Sequence, residues 1–351
     1  MRRLSSVRRQ LTRTGVDSFL IVNPLNIRYL TAYAGGGALL VLKRSARLFV
    51  PRLNQEQALM EACDCQVLSD DEEPIVAAVK SGLPKSTGVL GYETELSYGR
   101  YIRLKKVCKG MRLKPVENLV EDMRMKKDGE TDLMKRSARI TSEVLKEVVP
   151  LIAPRVSELD IAAEIEYRFR KKGADGCAFP PIVASGPNSS LPHAGAGRRK
   201  IKKGDFLTID LGGYYKGYAS DMTRTFVVGK PSAKQRQVYN AVRKAQQSAI
   251  EGVKAGILCK QIDTVARGIL DRQGFGKQFI HSLGHGIGLA VHEFPYLSQK
   301  SIHRLESGMV VTIEPGVYIP RWGGVRIEDM VLVEENHATV LTSYRRDLVE
   351  V

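Results

Sequence analysis

The sequence predicts a two-domain α/β protein whose larger, C-terminal domain consists of two similar halves. Three observations lead there. A chain of 351 residues is long for one hydrophobic core. Short helix and strand patterns alternate up to about residue 120, and long amphipathic helices dominate beyond it. Finally, GDFLTIDLG (204–212) aligns without gaps on GMVVTIEPG (308–316), at an offset of 104.

In the first region a helix over 2–14 places Leu4, Val7 and Leu11 on one face, and strands follow at FLIV (19–22), ALLVL (38–42) and RLFV (47–50). NQEQALMEAC (54–63) reads as helix, and IVAAVKSGL, GVLGYE and LSYGRYIRLKKVC continue the alternation without any cluster of reactive side chains. In the second region one helix spans 129–149. Ser157 can cap another running to about Lys172, with Asp160 three positions on as in a capping box. Ser232 opens a third, to about Val253, and a fourth covers roughly 259–272 and stops at Gly274. The helices repeat as well: VSELDIAAEI (156–165) matches LCKQIDTVARGI (258–269) at an offset of 103 when Asp160 is laid on Asp263. A near-constant offset over helix and hairpin implies two halves related by a pseudo-twofold.

No stretch approaches the roughly 20 apolar residues that span a bilayer, so the chain reads as soluble with no membrane partner. The acid-free start MRRLSSVRRQLTRTG lacks the apolar core of a secretory signal and runs directly into a helix and strand, which makes the cytoplasm the expected address. Cys63, Cys65, Cys108, Cys177 and Cys259 are scattered, with no second pair to complete a zinc site, and read as structural thiols. A net charge of +16, with nine Lys or Arg against Asp17 alone in residues 1–50, raises the question of nucleic acid. The aromatic content of only 7%, the acidic DDEE (70–73) and the lack of any nucleic-acid motif argue against a specific nucleic-acid role.

The chemistry concentrates in two hairpins. Asp210 and Asp221 are equidistant from a bend between Tyr215 and Lys216; Glu314 and Glu328 are equidistant from Arg321, inside PRWGG. Directly opposed residues of an antiparallel pair have Cβ atoms ~4.5–5.5 Å apart, where like charges destabilise. Solvated faces or helix caps would account for one such acid. They suit all four poorly, because TID, TIE and RIED lie in apolar strands. Four carboxylates balance two divalent cations, and oxygen-rich ligation favours manganese, cobalt, iron or zinc. SLGHGIGLAVHEFP (282–295) adds His285 and His292, with glycines 284, 286 and 288 allowing close backbone approach or positive φ. With four acids converging, His285 is the expected nitrogen ligand.

Asp210, Asp221, His285, Glu314 and Glu328, in the contexts IDLG, SDMTRTF, SLGHGIGL, IEPGVY and GGVRIED, resemble the five-ligand signature of the pita-bread metallopeptidases, of Xaa-Pro aminopeptidase and Xaa-Pro dipeptidase (prolidase) type. VNPLNIRYLTAY and LFVPRLNQEQA extend the likeness to the N-terminal region. The resemblance implies a creatinase-like domain over 1–122, a pita-bread catalytic domain over 123–351, and a homodimer. It implies that Asp210 binds one metal, that Asp221 and Glu328 bridge two, and that His285 and Glu314 bind the second, with manganese or cobalt favoured over iron or zinc. Two such ions lower the pKa of a bridging water and present hydroxide to a scissile carbonyl, with Glu314 as proton shuttle. His193 (SSLPHAG) and His292 (VHEFP) match substrate-contacting histidines that stabilise the tetrahedral intermediate, and Arg326 an outer partner of the carboxylates, or else a plain cross-strand salt bridge. Archaeal prolidases often carry Arg directly after HE-x-P, where a cation can pair with the carboxylate of a dipeptide. Tyr296 stands there in this chain, with Arg198, Arg199 and Arg321 as substitutes. The expected activity is therefore Xaa-Pro aminopeptidase on proline-containing peptides, with prolidase as the alternative. A non-catalytic binding relative and a creatine-type amidinohydrolase are disfavoured, since all five ligands are retained.

Overall fold

The computed structural model describes residues 2–84, 87–124 and 129–351, which fall into two units, Met1–Arg124 and Met125–Val351. In the first unit α1 (Arg2–Thr14), β1 (Ser18–Ile21), α2 (Pro24–Thr31), β2 (Ala38–Leu42), β3 (Ala46–Pro51), α3 (Gln55–Glu61), β4 (Gln66–Asp70), α4 (Pro74–Ala77), β5 (Val89–Glu93), α5 (Tyr98–Val107), β6 (Arg112–Val116) and α6 (Glu121–Arg124) follow one another. The strands form one mixed sheet in the order β4-β3-β2-β1-β5-β6. Leu4, Val7 and Leu11 of α1 are buried, as their spacing predicts. Three elements escape the sequence pattern for physical reasons. β4 (QVLSD) and β6 (RLKPV) are sheet edges, largely half-buried or exposed, so no apolar alternation marks them. The eight-residue α2 is set by its start, where the Asn23 side chain accepts from Leu25 N and Pro24 occupies the first turn.

The second unit runs α7 (Thr131–Val148), α8 (Glu158–Lys171), β7 (Gly176–Cys177), β8 (Ile182–Ser185), β9 (Phe206–Leu211), β10 (Gly213–Tyr215), β11 (Tyr218–Ala219) and β12 (Met222–Val227). It then repeats itself as α9 (Ala233–Gly252), α10 (Cys259–Arg272), β13 (Gly284–Gly286), β14 (Glu293–Leu297), β15 (Val310–Ile313), β16 (Gly316–Ile319), β17 (Gly323–Arg326) and β18 (Asp329–Val333), closing with β19 (Ala338–Val340) and β20 (Val349–Glu350). Each half packs two helices on a sheet. Ile140, Val144, Ile161, Ile165 and Phe169 meet Leu207, Ile209 and Leu211, while Val238, Val242, Ile262 and Ala266 meet Val311, Ile313 and Val331. On β9 the odd residues enter this core, which turns Thr208 and Asp210 to the opposite, polar face.

The repeat is real, but its helix register differs from the expected one. Ser157, which caps α8, bridges to Lys200, and Leu258, which precedes α10, bridges to Arg304. The helices therefore correspond at an offset of 101 and the following strands at 104, three residues having been inserted between them. Asp160 corresponds to Gln261, each accepting a bond from the backbone N of its N-cap residue at 2.9 and 3.0 Å. Asp263, matched to Asp160 by sequence, is instead buried, ion-paired to Arg267 at 2.7 Å and accepting from Leu283 N at 3.2 Å.

Candidate metal centre

Each half delivers its acids through a broken hairpin. In the first, Lys216 and Gly217 both adopt positive φ (48° and 81°), which centres the turn between them, as in the tight turns that match strand twist. That is one residue later than the bend read from sequence. Thr223 consequently pairs with Asp210 and Met222 with Leu211, and the continued register sets Asp221 opposite Gly212. Asp210 and Asp221 are thus diagonal neighbours on one face, not directly opposed. In the second hairpin Gly316 pairs with Arg326 and Ile313 with Asp329, so Glu314 and Glu328 do oppose each other about Arg321, whose φ is 64°. Glu328 N donates to Thr223 O at 3.1 Å and locks the two hairpins together.

His285 comes from the middle of β13, where Gly284 lies so close to β15 that a Cβ would meet Thr312 O at 1.9 Å. Its Nδ1 is 3.0 Å from Gly286 O, which fixes the proton there and leaves the Nε2 lone pair free. That nitrogen stands 3.4 Å from Glu314 Oε1 and 3.9 Å from Asp221 Oδ2. Burial, reinforced by His292, pushes the His285 pKa down to about 4, so at neutral pH an uncharged lone pair points at carboxylates.

Asp210, Asp221 and Glu328 are buried, and Glu314 is half-buried. Burial, followed by the neighbouring carboxylates, holds Asp221 and Glu328 well above the usual range, and burial pushes Glu314 up to about 8. Asp210 Oδ1 and Asp221 Oδ1 are buried without a hydrogen-bond partner. Donor atoms of Asp221, His285 and Glu328 lie within 4.8 Å of one another. Unpartnered oxygens, opposed carboxylates and an aimed imidazole lone pair fit divalent cations, which such a donor set binds.

Arg326 makes an ion pair, but one that leaves its own hairpin. From the second half it reaches into the first, donating from Nη2 to Asp210 Oδ2 at 2.7 Å, from Nε to Thr223 Oγ1 at 3.0 Å, and from Nη1 to Tyr318 OH at 2.8 Å and Pro192 O at 3.1 Å. Thr223 Oγ1 in turn donates to Glu328 Oε2 at 2.6 Å. One guanidinium therefore orients carboxylates of both hairpins.

The cluster floors a cavity of about 680 Å³. Nine of the residues singled out by sequence line it: the four acids, His285, Arg326, His193, His292 and Tyr296. The His292 ring lies 4.3 Å from that of His285, and burial followed by His193 lowers its pKa. Phe179, Pro180, Pro181 and Ile182 supply an apolar wall. Arg198, Arg199 and Arg321 are not among the lining residues, and Arg199 is ion-paired to Asp205 at 2.6 Å. His281 also lines the cavity, with Nε2 3.0 Å from Tyr318 OH and a pKa brought down to about 4 by burial. Sequence reading passed over it, because a single histidine ahead of a short strand carries no spacing signal.

The metallopeptidase family M24 matches residues 132–335, and the creatinase/prolidase N-terminal domain matches residues 3–126. The chain belongs to metallopeptidase family M24. Its two units are accordingly a creatinase-like N-terminal domain and a pita-bread catalytic domain, and the protein is a metalloexopeptidase. This M24 metallopeptidase is 38% identical to an Xaa-Pro dipeptidase of Pyrococcus furiosus, over 99% of each chain. It superposes on a solved Xaa-Pro dipeptidase from Bacillus anthracis with a TM-score of 0.97 at 37% identity, covering 100% of this chain and 99% of that one. The X-Pro aminopeptidase of Thermotoga maritima gives 0.92 at 33% identity, over 99% of each chain. The names of these relatives favour the dipeptidase over the aminopeptidase expected from Tyr296. In the described residues of this metallopeptidase no helix is long and apolar enough to cross a membrane.

Proposed function

We propose that this protein is an Xaa-Pro dipeptidase that depends on two divalent metal ions. The observation that carries the reading is the set of three buried carboxylates, a half-buried fourth at Glu314 and an uncharged imidazole at the floor of a cavity with an apolar, proline-rich wall. Full-length similarity to proteins named Xaa-Pro dipeptidase supports the substrate class. Asp210 would hold one ion, His285 and Glu314 would hold the other, and Asp221 and Glu328 would contribute to both. Divalent ions there supply Lewis acidity toward the scissile carbonyl and an acidified water. Glu314 accepts a proton at its carboxylate from the acidified water and passes it to the departing proline nitrogen. His292, kept neutral by its lowered pKa, and His193 donate hydrogen bonds to the substrate carbonyl and its developing oxyanion. Phe179, Pro180, Pro181 and Ile182 pack against the pyrrolidine ring and exclude water. Arg326 keeps Asp210 in place and, through Thr223, Glu328.

One observation favours a second reading, Xaa-Pro aminopeptidase: among the lining residues the single arginine, Arg326, is already committed to Asp210, which leaves no free guanidinium for a dipeptide carboxylate. Hydrolysis of Ala-Pro against Ala-Pro-Ala, by protein reconstituted with manganese or cobalt, separates the two. The dipeptidase reading expects Ala-Pro to be cleaved and the tripeptide to survive. Preferred cleavage of the tripeptide reverses the assignment, and inactivity on both removes the peptidase reading altogether.

A further inference from the structure

Glu158, at the first position of α8, is fully buried, yet among the described residues no cation pairs with it. Its charge is met by neutral donors from two segments, Ser185–Asn188 and the loop at Gly197. Oε1 accepts from Ser185 N and Ser185 Oγ, both at 2.7 Å, and from Asn188 Nδ2 at 3.1 Å. Oε2 accepts from Gly197 N at 3.2 Å and again from Asn188 Nδ2, at 3.2 Å. The N-terminus of α8 adds a favourable dipole. A buried anion of this kind is costly to keep unless its donors stay put, so it holds them rigidly.

What it holds is the segment that carries His193. Gly197 is clamped to the start of α8 twice, through its N–H to Glu158 and through its carbonyl, which accepts from Leu159 N at 2.9 Å. At the other end of the segment Pro192 O accepts from Arg326 Nη1 at 3.1 Å. Between these ties lies His193, itself exposed to the cavity, whose side chain makes no hydrogen bond among the described residues. The loop is thus suspended between Arg326, which belongs to the carboxylate cluster, and Glu158, which belongs to nothing the chemistry uses.

We propose that Glu158 is a positioning residue that sets the place of His193 over the metal centre by anchoring the Pro192–Gly197 loop. The proposal rests on the peptidase reading above. It is tested in the full-length, manganese-reconstituted enzyme by a double-mutant cycle of Glu158→Gln and His193→Ala with an Xaa-Pro dipeptide. Glu158→Gln preserves shape but turns one accepting oxygen into a donor facing N–H groups. Alone, it is expected to lower kcat/KM on the order of 10²-fold, as misplacement of a catalytic group by about 1 Å can do, chiefly through kcat. In the His193→Ala background it is expected to change kcat/KM less than about twofold, because coupled residues do not lose independently. Hydrogen exchange over residues 186–199 is expected to quicken in Glu158→Gln while the rest of α8 keeps its protection. Should the variant be poorly folded, Asn188→Ala, which removes two of the same bonds, serves in the identical cycle. Losses that add fully across the cycle, or a Glu158→Gln enzyme as active as the parent, overturn the proposal. If His193→Ala alone retains full activity, the role of His193 falls first and the positioning role with it.

Discussion

The two hairpins of the catalytic unit descend from the same pattern, yet they bring their acids together differently. In the first, a two-residue turn at Lys216-Gly217 leaves Asp210 and Asp221 diagonal. In the second, the longer Pro320–Trp322 bend leaves Glu314 and Glu328 face to face. Gly212 and Gly316, equivalent at the offset of 104, show the same divergence. A Cβ on Gly212 would meet Ser220 O of its own hairpin at 2.0 Å, whereas one on Gly316 would meet the Tyr318 hydroxyl at 2.5 Å. The first hairpin is therefore closed by backbone and the second by a side chain. Two pseudo-symmetric halves can supply a four-carboxylate site without supplying the same geometry, and His285 is what makes the site asymmetric in ligand type.

The comparison can be broken most forcefully at the ligands. His285→Ala and Asp221→Asn are each expected to lower kcat/KM by well over about 100-fold, since loss of even an outer-shell partner costs 10–100-fold. Circular dichroism should remain that of the parent, because neither side chain belongs to the hydrophobic core. Turnover retained in His285→Ala would mean that the asymmetry between the halves has no chemical use. Next comes Arg326→Lys, which keeps the charge but cannot span Asp210, Thr223, Tyr318 and Pro192 at once. A loss of about 10–100-fold in activity or metal affinity, measured by metal titration, is expected.

Turn centring was the part of the site that the sequence did not disclose. Symmetry about a bend identified which acids meet, and Arg321 was located correctly as the second centre, but a lysine in the left-handed region at position 216 has no distinguishing spacing. The helix capped by Ser157 was legible because its capping-box partner Asp160 lies three residues on, and Ser232 has Gln235 in the same place. The 101 offset was not, because an aspartate match at Asp263 outweighed a glutamine that does the same capping work as Asp160. Glu158 was illegible for a related reason: an acid in the first turn of a helix reads as solvent-facing, and only the segments folded over it make it buried.

Stability sharpens the contrast between the hairpins at a smaller scale. Gly212→Ala should destabilise the protein by about 1–3 kcal/mol or more, the range for overpacking a fixed neighbour, while Gly316→Ala should cost less because an aromatic side chain can shift. Equal shifts in thermal midpoint would show that both turns yield alike. The mildest expected effect is on pH. Glu314 has a folded pKa of about 8 against an ordinary value of 4.5, so between those values the native state keeps a proton that the unfolded chain releases. Stability of the metal-free protein is then greatest below about pH 4.5, as far as this group decides it, and is lost as pH rises toward 8. Thermal scans of chelated protein should record a falling midpoint across that window, and manganese should flatten the trend.

The claim on which the rest depends is that Asp210, Asp221, His285, Glu314 and Glu328 form one divalent metal centre. Its most direct test is metal titration of chelated protein followed by calorimetry, run in parallel on the parent chain and on Asp221→Asn, with Ala-Pro hydrolysis read at each metal ratio. The account predicts that two ions bind per chain, that hydrolysis rises with occupancy, and that the variant loses both binding and turnover. Undiminished hydrolysis by the chelated parent, or metal uptake that Asp221→Asn leaves unchanged, would contradict it.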